Sequence, residues 1–333
     1  MISALLRACF APLVAIVLLG TPVAAHDYRP APIERFVVFG DSLSDPGNAF
    51  VATGEFAVRP FEPIPSAPYL IGRFHFTNGP TWVEQLARDF DLFRSARPAL
   101  LRPGVFTNYA IGGARARAAE PIDLATLIGL FLADFDGVAA PESLYVLWIG
   151  ANDLRDAFAA FEQDPSGATS EVILQEALKA TKRGIKDLYD AGARSFLVLN
   201  LPNIGDTPAL RALGPPAQAL GRQLAVAYNS GLAARLERLD GLAGIAIARF
   251  DVFDGLEELV QDPALAGLRN VTDSCITPGV IIGAICRNPR RYLFWDFIHP
   301  TRRAHGYLSE QAQGILATEF FIAAPSFRDA PQM

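Results

Sequence analysis

The chain has 333 residues, 51% of them hydrophobic and 19% charged, with a net charge of −6. That balance excludes a wholly disordered chain and supplies enough apolar mass for the core of one large domain or two modest ones. The acidic excess sets nucleic-acid backbones and anionic membrane surfaces aside as main partners.

The first 25 residues read as a cleavable leader: Arg7, the apolar run Ala11 to Gly20, then small residues leading up to His26. The domain expected is therefore 26–333, secreted or periplasmic, and loss of Arg7 with the leader takes the net charge from −6 to −7. An uncleaved anchor needs about 20 apolar residues. This run is shorter and ends in Pro22.

Ile33 to Phe39 reads as the first buried strand, and the runs Val105–Ile111, Ser143–Ile149, Ser195–Leu201 and Gly244–Phe250 have the same character. Between them lie stretches with helical spacing: Thr81–Asp89, Ser170–Ala191, Pro216–Leu239 and Arg302–Phe320. Strands alternating with helices predict a single α/β domain with a doubly wound, mostly parallel, five-stranded sheet. Two irregular excursions interrupt the alternation, Ala49–Phe76 and Asp262–Arg291. The first is expected to wall the site. The second carries Cys275 and Cys286, for which an oxidising compartment predicts a disulfide, with two free buried thiols as the alternative. The short polar tail after Phe320 sets the expectation that no membrane-spanning β-domain follows, and nothing specifies an oligomer.

The stretch Phe36 to Asn48, FVVFGDSLSDPGN, ends a buried strand in a small polar turn. Open α/β sheets bind ligands at the carboxyl ends of their strands, which makes Ser42 a candidate nucleophile. By itself a serine in such a turn is more often a turn residue or a helix cap. Asp296-Phe297-Ile298-His299 adds a histidine three residues after a carboxylate, so one loop can carry a base and the group that orients it. Two other strand ends offer oxyanion donors. One is the pair Gly112-Gly113, where glycine allows close backbone approach, and the other is the amide of Asn152.

These four pieces, in this order, resemble the SGNH (GDSL) hydrolase superfamily. The resemblance covers nearly the whole chain after the leader. Gly40-Asp41-Ser42-Leu43-Ser44-Asp45-x-Gly47-Asn48 and Phe294-Trp295-Asp296-x-x-His299-Pro300-Thr301 are similar to its lipase-like branch, which includes plant GDSL esterases and bacterial lecithinase/haemolysin-type phospholipases. Gly72-Arg73-Phe74, Asn78-Gly79 and Trp82 are similar to that branch's G-R-F-S-N-G-x-x-W segment. Here His75, Phe76 and Thr77 lengthen it, and no catalytic role is carried onto these residues.

The resemblance implies an SGNH/flavodoxin-like fold and a carboxylic-ester hydrolase. Ser42 would be the nucleophile, His299 the base and Asp296 its orienting acid. The Ser42 and Gly113 amides and the Asn152 side chain would form the oxyanion hole, with Gly112 competing for the Gly113 role. It implies no metal and no cofactor. Asp41 and Asp153 are expected to bond backbone amides, and His75 and His305 to be surface or loop residues rather than ligands. No G-x-S-x-G elbow, H-E-x-x-H or G-x-x-x-x-G-K motif competes with this reading. The substrate is expected to be an ester or lipid, with chain length and alcohol open; acyl transfer to another alcohol, phospholipase action and a non-catalytic binding protein are the alternatives.

Overall fold

The computed structural model describes residues 33–320. The leader, its cleavage before His26 and the tail beyond Phe320 lie outside the described residues.

In chain order the elements are β1 (Arg35–Gly40), α1 (Asn48–Thr53), α2 (Trp82–Asp89), α3 (Leu124–Asp134), β2 (Ser143–Trp148), α4 (Ala151–Gln163), α5 (Ala168–Asp190) and β3 (Ser195–Leu199). There follow α6 (Pro208–Ala212), α7 (Pro215–Leu239), β4 (Ala246–Phe250), α8 (Val252–Gln261), β5 (Asn270–Ser274), β6 (Tyr292–Phe294) and α9 (Arg302–Glu319). Strands β1 to β4 form one parallel sheet in that spatial order. β2 is buried at every position, and β1 at every position but its first, because helices cover both faces.

Side-chain alternation identifies the two layers. Trp82 of α2 meets Trp148 and Phe250, with ring centroids 5.8 and 6.3 Å away. Phe131 of α3 meets Phe39 and Tyr145 on the opposite face at 5.8 and 5.9 Å. Helix α9 joins α2 in its layer, whereas α5 packs with α3, α4 and α7 in the other. The sheet is doubly wound.

The fifth strand expected over Val105–Ile111 is reduced to isolated parallel bridges at Asn108, one to Val38 and one to Pro98. Backbone bonds from Val38 to Thr107, from Tyr109 to Val38 and from Ile111 to Gly40 still lay this segment along β1. On its outer side stands Pro98, which has no N–H to extend a ladder. With that segment counted, the order across the sheet makes β1 and β2 the two strands from which the chain departs in opposite directions. Ligands of open sheets bind at such a switch point. α3 and α4 escape the helical spacing of the sequence, α3 because it is apolar nearly all round, with buried Leu124, Leu127, Ile128 and Phe131.

The second excursion folds into a small sheet of β5 and β6, and Cys275 and Cys286 are disulfide-bonded. With Phe61, Tyr69, Ile276, Ala284 and Trp295 these residues build a separate small core beside the catalytic-loop candidate 295–301. No helix among the described residues is long and apolar enough to cross a membrane.

Candidate active site

β1 ends at Gly40, where an added Cβ would stand 2.7 Å from the Trp148 carbonyl oxygen, so only glycine lets the ends of β1 and β2 approach this closely. The turn that follows is closed by the Ser44 amide on the Asp41 carbonyl at 3.1 Å and by the Leu43 amide on Asp41 Oδ1 at 3.0 Å. Asp41, Leu43 and Ser44 are buried, and Ser42 is left half-buried at the crest. Asp45 fastens the next residues. Its Oδ1 accepts from the amides of Gly47 (2.7 Å) and Asn48 (2.6 Å), and its Oδ2 from those of Ala49 (3.2 Å) and Gly112 (2.8 Å).

The structure brings Ser42, His299 and Asp296 together from segments more than 250 residues apart. His299 Nε2 lies 2.9 Å from Ser42 Oγ, and His299 Nδ1 lies 2.7 Å from Asp296 Oδ2. Asp296 Oδ1 accepts from the amides of Ile298 (2.9 Å) and His299 (2.8 Å), so the local turn sets the carboxylate plane. The loop is closed by the Trp295 amide on the His299 carbonyl at 2.7 Å, and Thr301 caps α9 immediately after it. Asp296 and His299 are both buried. With Nδ1–H given to the acid, Nε2 is the acceptor facing the hydroxyl, the tautomer a general base requires.

Two residues of the first excursion complete this arrangement and were not singled out in the sequence as catalytic-loop supports. Tyr69 donates its hydroxyl to Asp296 Oδ2 at 3.0 Å, and the Phe76 ring lies 5.5 Å from the His299 ring. Thr77 Oγ1 donates to the Pro300 carbonyl at 2.7 Å, and the Arg302 amide donates to Asn78 Oδ1 at 2.7 Å. The lengthened segment thus clasps the loop that carries His299. The signal for it was the departure of His75-Phe76-Thr77 from the family pattern.

Of the two glycines, Gly112 has its amide bonded to Asp45, and an added Cβ there would meet Phe76 Cε2 at 2.1 Å. Gly113 sits at φ +84° with open space around it, and its amide makes no hydrogen bond among the described residues. Asn152 opens α4 after Gly150, itself at φ +121°. Its Nδ2 donates to the Ala114 carbonyl at 3.0 Å, leaving one amide hydrogen unspent, while Arg155 Nη1 donates to its Oδ1 at 3.3 Å. Asp153 behind it accepts from the amides of Ala116 (2.7 Å) and Arg117 (3.3 Å).

Burial raises three neighbouring carboxyls: Asp41 to about 7, Asp45 to about 6 and Asp153 to about 6, with backbone hydrogen bonds opposing the rise in each case. Asp41 Oδ2 is buried without a hydrogen-bond partner. This suits a protonated acid.

His75 and His305 are not surface residues. Both are buried, because the excursion and α9 fold against α2. His75 contacts the Gly72 carbonyl through Nδ1 and Glu84 through Nε2 at 2.8 Å, the latter as an ion pair rather than an aligned hydrogen bond. Burial lowers its pKa, but the Glu84 charge and these contacts outweigh burial and the net shift is upward. His305 is lowered to about 3 by burial, and its neutral Nδ1 accepts the Trp82 amide at 3.3 Å. No group of three or more His, Cys, Asp or Glu among the described residues could hold a metal ion.

A pocket enclosing about 850 Å³ including its open mouth adjoins Ser42, Asn152 and His299. Trp148, Ile204, Leu210, Val260, Phe294 and Ile298 give it mostly apolar walls, and Arg155, Asp206 and Glu257 contribute charge. A serine hydroxyl, an imidazole and a carboxylate in series, at the carboxyl edge of a parallel sheet and beside an apolar pocket, can carry out acyl transfer.

The class that this fold and site define is the serine-dependent carboxylic-ester hydrolase. The chain belongs to the GDSL-like lipase/acylhydrolase family, whose profile matches residues 36–312. It is 26% identical over 350 residues to a phosphatidylcholine-sterol acyltransferase of Aeromonas hydrophila, covering 92% of this chain and 97% of the relative. It is 25% identical over 319 residues to a GDSL esterase/lipase of Arabidopsis thaliana, covering 86% of this chain and 90% of that one. Among solved structures, an acetylxylan esterase from Geobacillus stearothermophilus aligns with a TM-score of 0.46 at 13% identity, over 88% of this chain and 98% of its own.

Proposed function

We propose that the enzyme hydrolyses esters through an acyl-enzyme on Ser42. Ser42 Oγ attacks the ester carbonyl and its proton passes to His299 Nε2. The amides of Ser42 and Gly113 and the Asn152 Nδ2 group receive the negative charge on the carbonyl oxygen. As the C–O bond breaks, His299 returns the proton to the departing alcohol. A water molecule then gives a proton to the same nitrogen as its oxygen attacks the acyl carbon, and His299 passes that proton to Ser42 Oγ as the bond between Oγ and the acyl carbon breaks, releasing the acid and restoring the Ser42 hydroxyl. Asp296 holds the Nδ1–H tautomer and stabilises the imidazolium. The observation that carries this reading is the unbroken series Ser42–His299–Asp296 at 2.9 and 2.7 Å. The engagement of the Gly112 amide by Asp45 supports Gly113 as the donor.

The test is initial rates on a nitrophenyl ester series from acetate to palmitate, with Ser42→Ala and His299→Ala beside the wild type. Each variant should lose at least a thousandfold in kcat. Substantial turnover by either folded variant rejects the assignment. The chain-length optimum separates a short-ester enzyme from a lipase. A second reading, acyl transfer to an alcohol other than water, is favoured by the activity named for the Aeromonas relative; product analysis with an added sterol distinguishes it. The leader-like first 25 residues support export, and amino-terminal sequencing of the exported protein should begin at His26.

A further inference from the structure

The pocket beside Ser42 contains one charge that the protein does not neutralise. Of its three charged lining residues, Asp206 pairs with Arg211 at 3.1 Å and accepts from Asn203 at 2.9 Å. Glu257 pairs with Arg222 and accepts from Asn203 at 3.0 Å. Arg155 differs from both. Its one polar contact among the described residues is the 3.3 Å bond to Asn152 Oδ1, and no carboxylate lies within ion-pair distance. The nearest candidate in sequence, Asp156, is already held by Arg115 at 3.0 Å and by Arg117.

Arg155 stands one helical turn beyond Asn152 and lines the same pocket as Ser42 and His299. Most of its five N–H donors are unspent, in a planar fork that matches a carboxylate or phosphate oxygen pair. An apolar pocket with a single unneutralised cation beside the nucleophile fits an amphiphile: a hydrocarbon portion against the walls and a negative group at the guanidinium. We propose that Arg155 forms a subsite for an anionic group, a carboxylate or a phosphate diester, carried by the ester substrate. This rests on the acyl-enzyme reading above and names the substrate class it serves. Arg155 lines the pocket and is solvent-exposed, so the discrimination expected is about tenfold, the lower end for a hydrogen bond to a charged group.

The experiment compares kcat/KM for neutral and anionic esters in wild type, Arg155→Gln and Arg155→Lys. Nitrophenyl butyrate against mono-nitrophenyl succinate tests a carboxylate on the acyl side. Phosphatidylglycerol against diacylglycerol in neutral detergent micelles tests a phosphate on the alcohol side. Arg155→Gln should lower the anionic-to-neutral ratio about tenfold in at least one pair, and the affected pair identifies the anion. Arg155→Lys should keep most of the ratio. If both members of each pair fall together in Arg155→Gln, the residue acts only by orienting Asn152 and the proposal fails; it fails equally if the ratios do not move. Loss of the acyl-enzyme reading would appear separately, as retained turnover of nitrophenyl butyrate by Ser42→Ala.

Discussion

The hydroxyl of Tyr69 and the Nδ1 of His299 converge on one oxygen, Asp296 Oδ2, at 3.0 and 2.7 Å. The other carboxylate oxygen takes two backbone amides. Asp296 is therefore fixed from four directions, one of them supplied by a residue 227 positions away in sequence. Tyr69 is itself buried, and burial together with the Asp296 charge pushes its pKa far up, so it serves here only as a donor.

Tyr69→Phe removes that donor and keeps the ring in its core beside Phe61 and Trp295. A hydrogen bond to a charged group is worth about 1.5–3 kcal/mol, so kcat should fall at least tenfold with KM little changed. Steady-state kinetics on a soluble ester decide it. A KM-dominated loss would mean that Tyr69 shapes the substrate site instead.

Gly112→Ala places a methyl into the Phe76 ring, which rests against His299. Activity should fall a hundredfold or more. Adding Phe76→Leu opens space for the methyl, and the double variant should be more active than Gly112→Ala alone, a coupling of the kind neighbouring residues show. Strict additivity in this cycle would place the damage elsewhere.

Asp41 makes stability depend on pH in a direction opposite to that of most carboxylates. Its folded pKa is raised to about 7 by burial, against about 3.9 in an unfolded chain. Between these values the native state holds a proton that the unfolded state has released, so unfolding free energy falls as pH rises. The contribution is complete below about pH 4 and lost as pH passes through about 7. Asp41→Asn keeps the Oδ1 acceptor for the Leu43 amide and removes the titration. Urea unfolding of the variant from pH 4.5 to 7.5 should show a smaller decline than wild type, the two curves separating by a few kcal/mol. Parallel curves would show that Asp41 is ionised throughout.

Replacing Cys275 and Cys286 together by alanine should lower stability by about 2–3 kcal/mol on the loop-closure estimate. The consequence should also reach the site. The amides of Cys275 and Ile276 bond the carbonyls of Phe294 and Trp295, immediately before Asp296. Hydrogen exchange of the 292–299 segment should therefore quicken in the variant, and unchanged exchange would show that β5 and β6 hold this loop without the bridge.

Ser42, Asp296, His299 and Asn152 could be read in the sequence because each lies at a strand end or in a short loop whose neighbours are close in chain order. The four central strands could be read because a sheet covered on both faces needs continuous apolar runs. Tyr69 and Phe76 could not, since the excursion that carries them has no period, and their partners belong to a loop more than 200 residues later. Val105–Ile111 carries the composition of a strand, yet its outer neighbour is Pro98. The burial of His75 depends on the docking of α2 and α9, a tertiary event with no local signature. Its lengthened segment departs from the family pattern at the place where it embraces the His299 loop.

Asp45 sets a length. Its side chain is the strut between the turn that raises Ser42 and the loop that holds Gly112 and Gly113, bonding amides on both sides at once. One carboxylate of fixed reach thereby gauges the gap between the Ser42 turn and the Gly112-Gly113 loop. Glutamate, one methylene longer, would keep the charge and change that gauge.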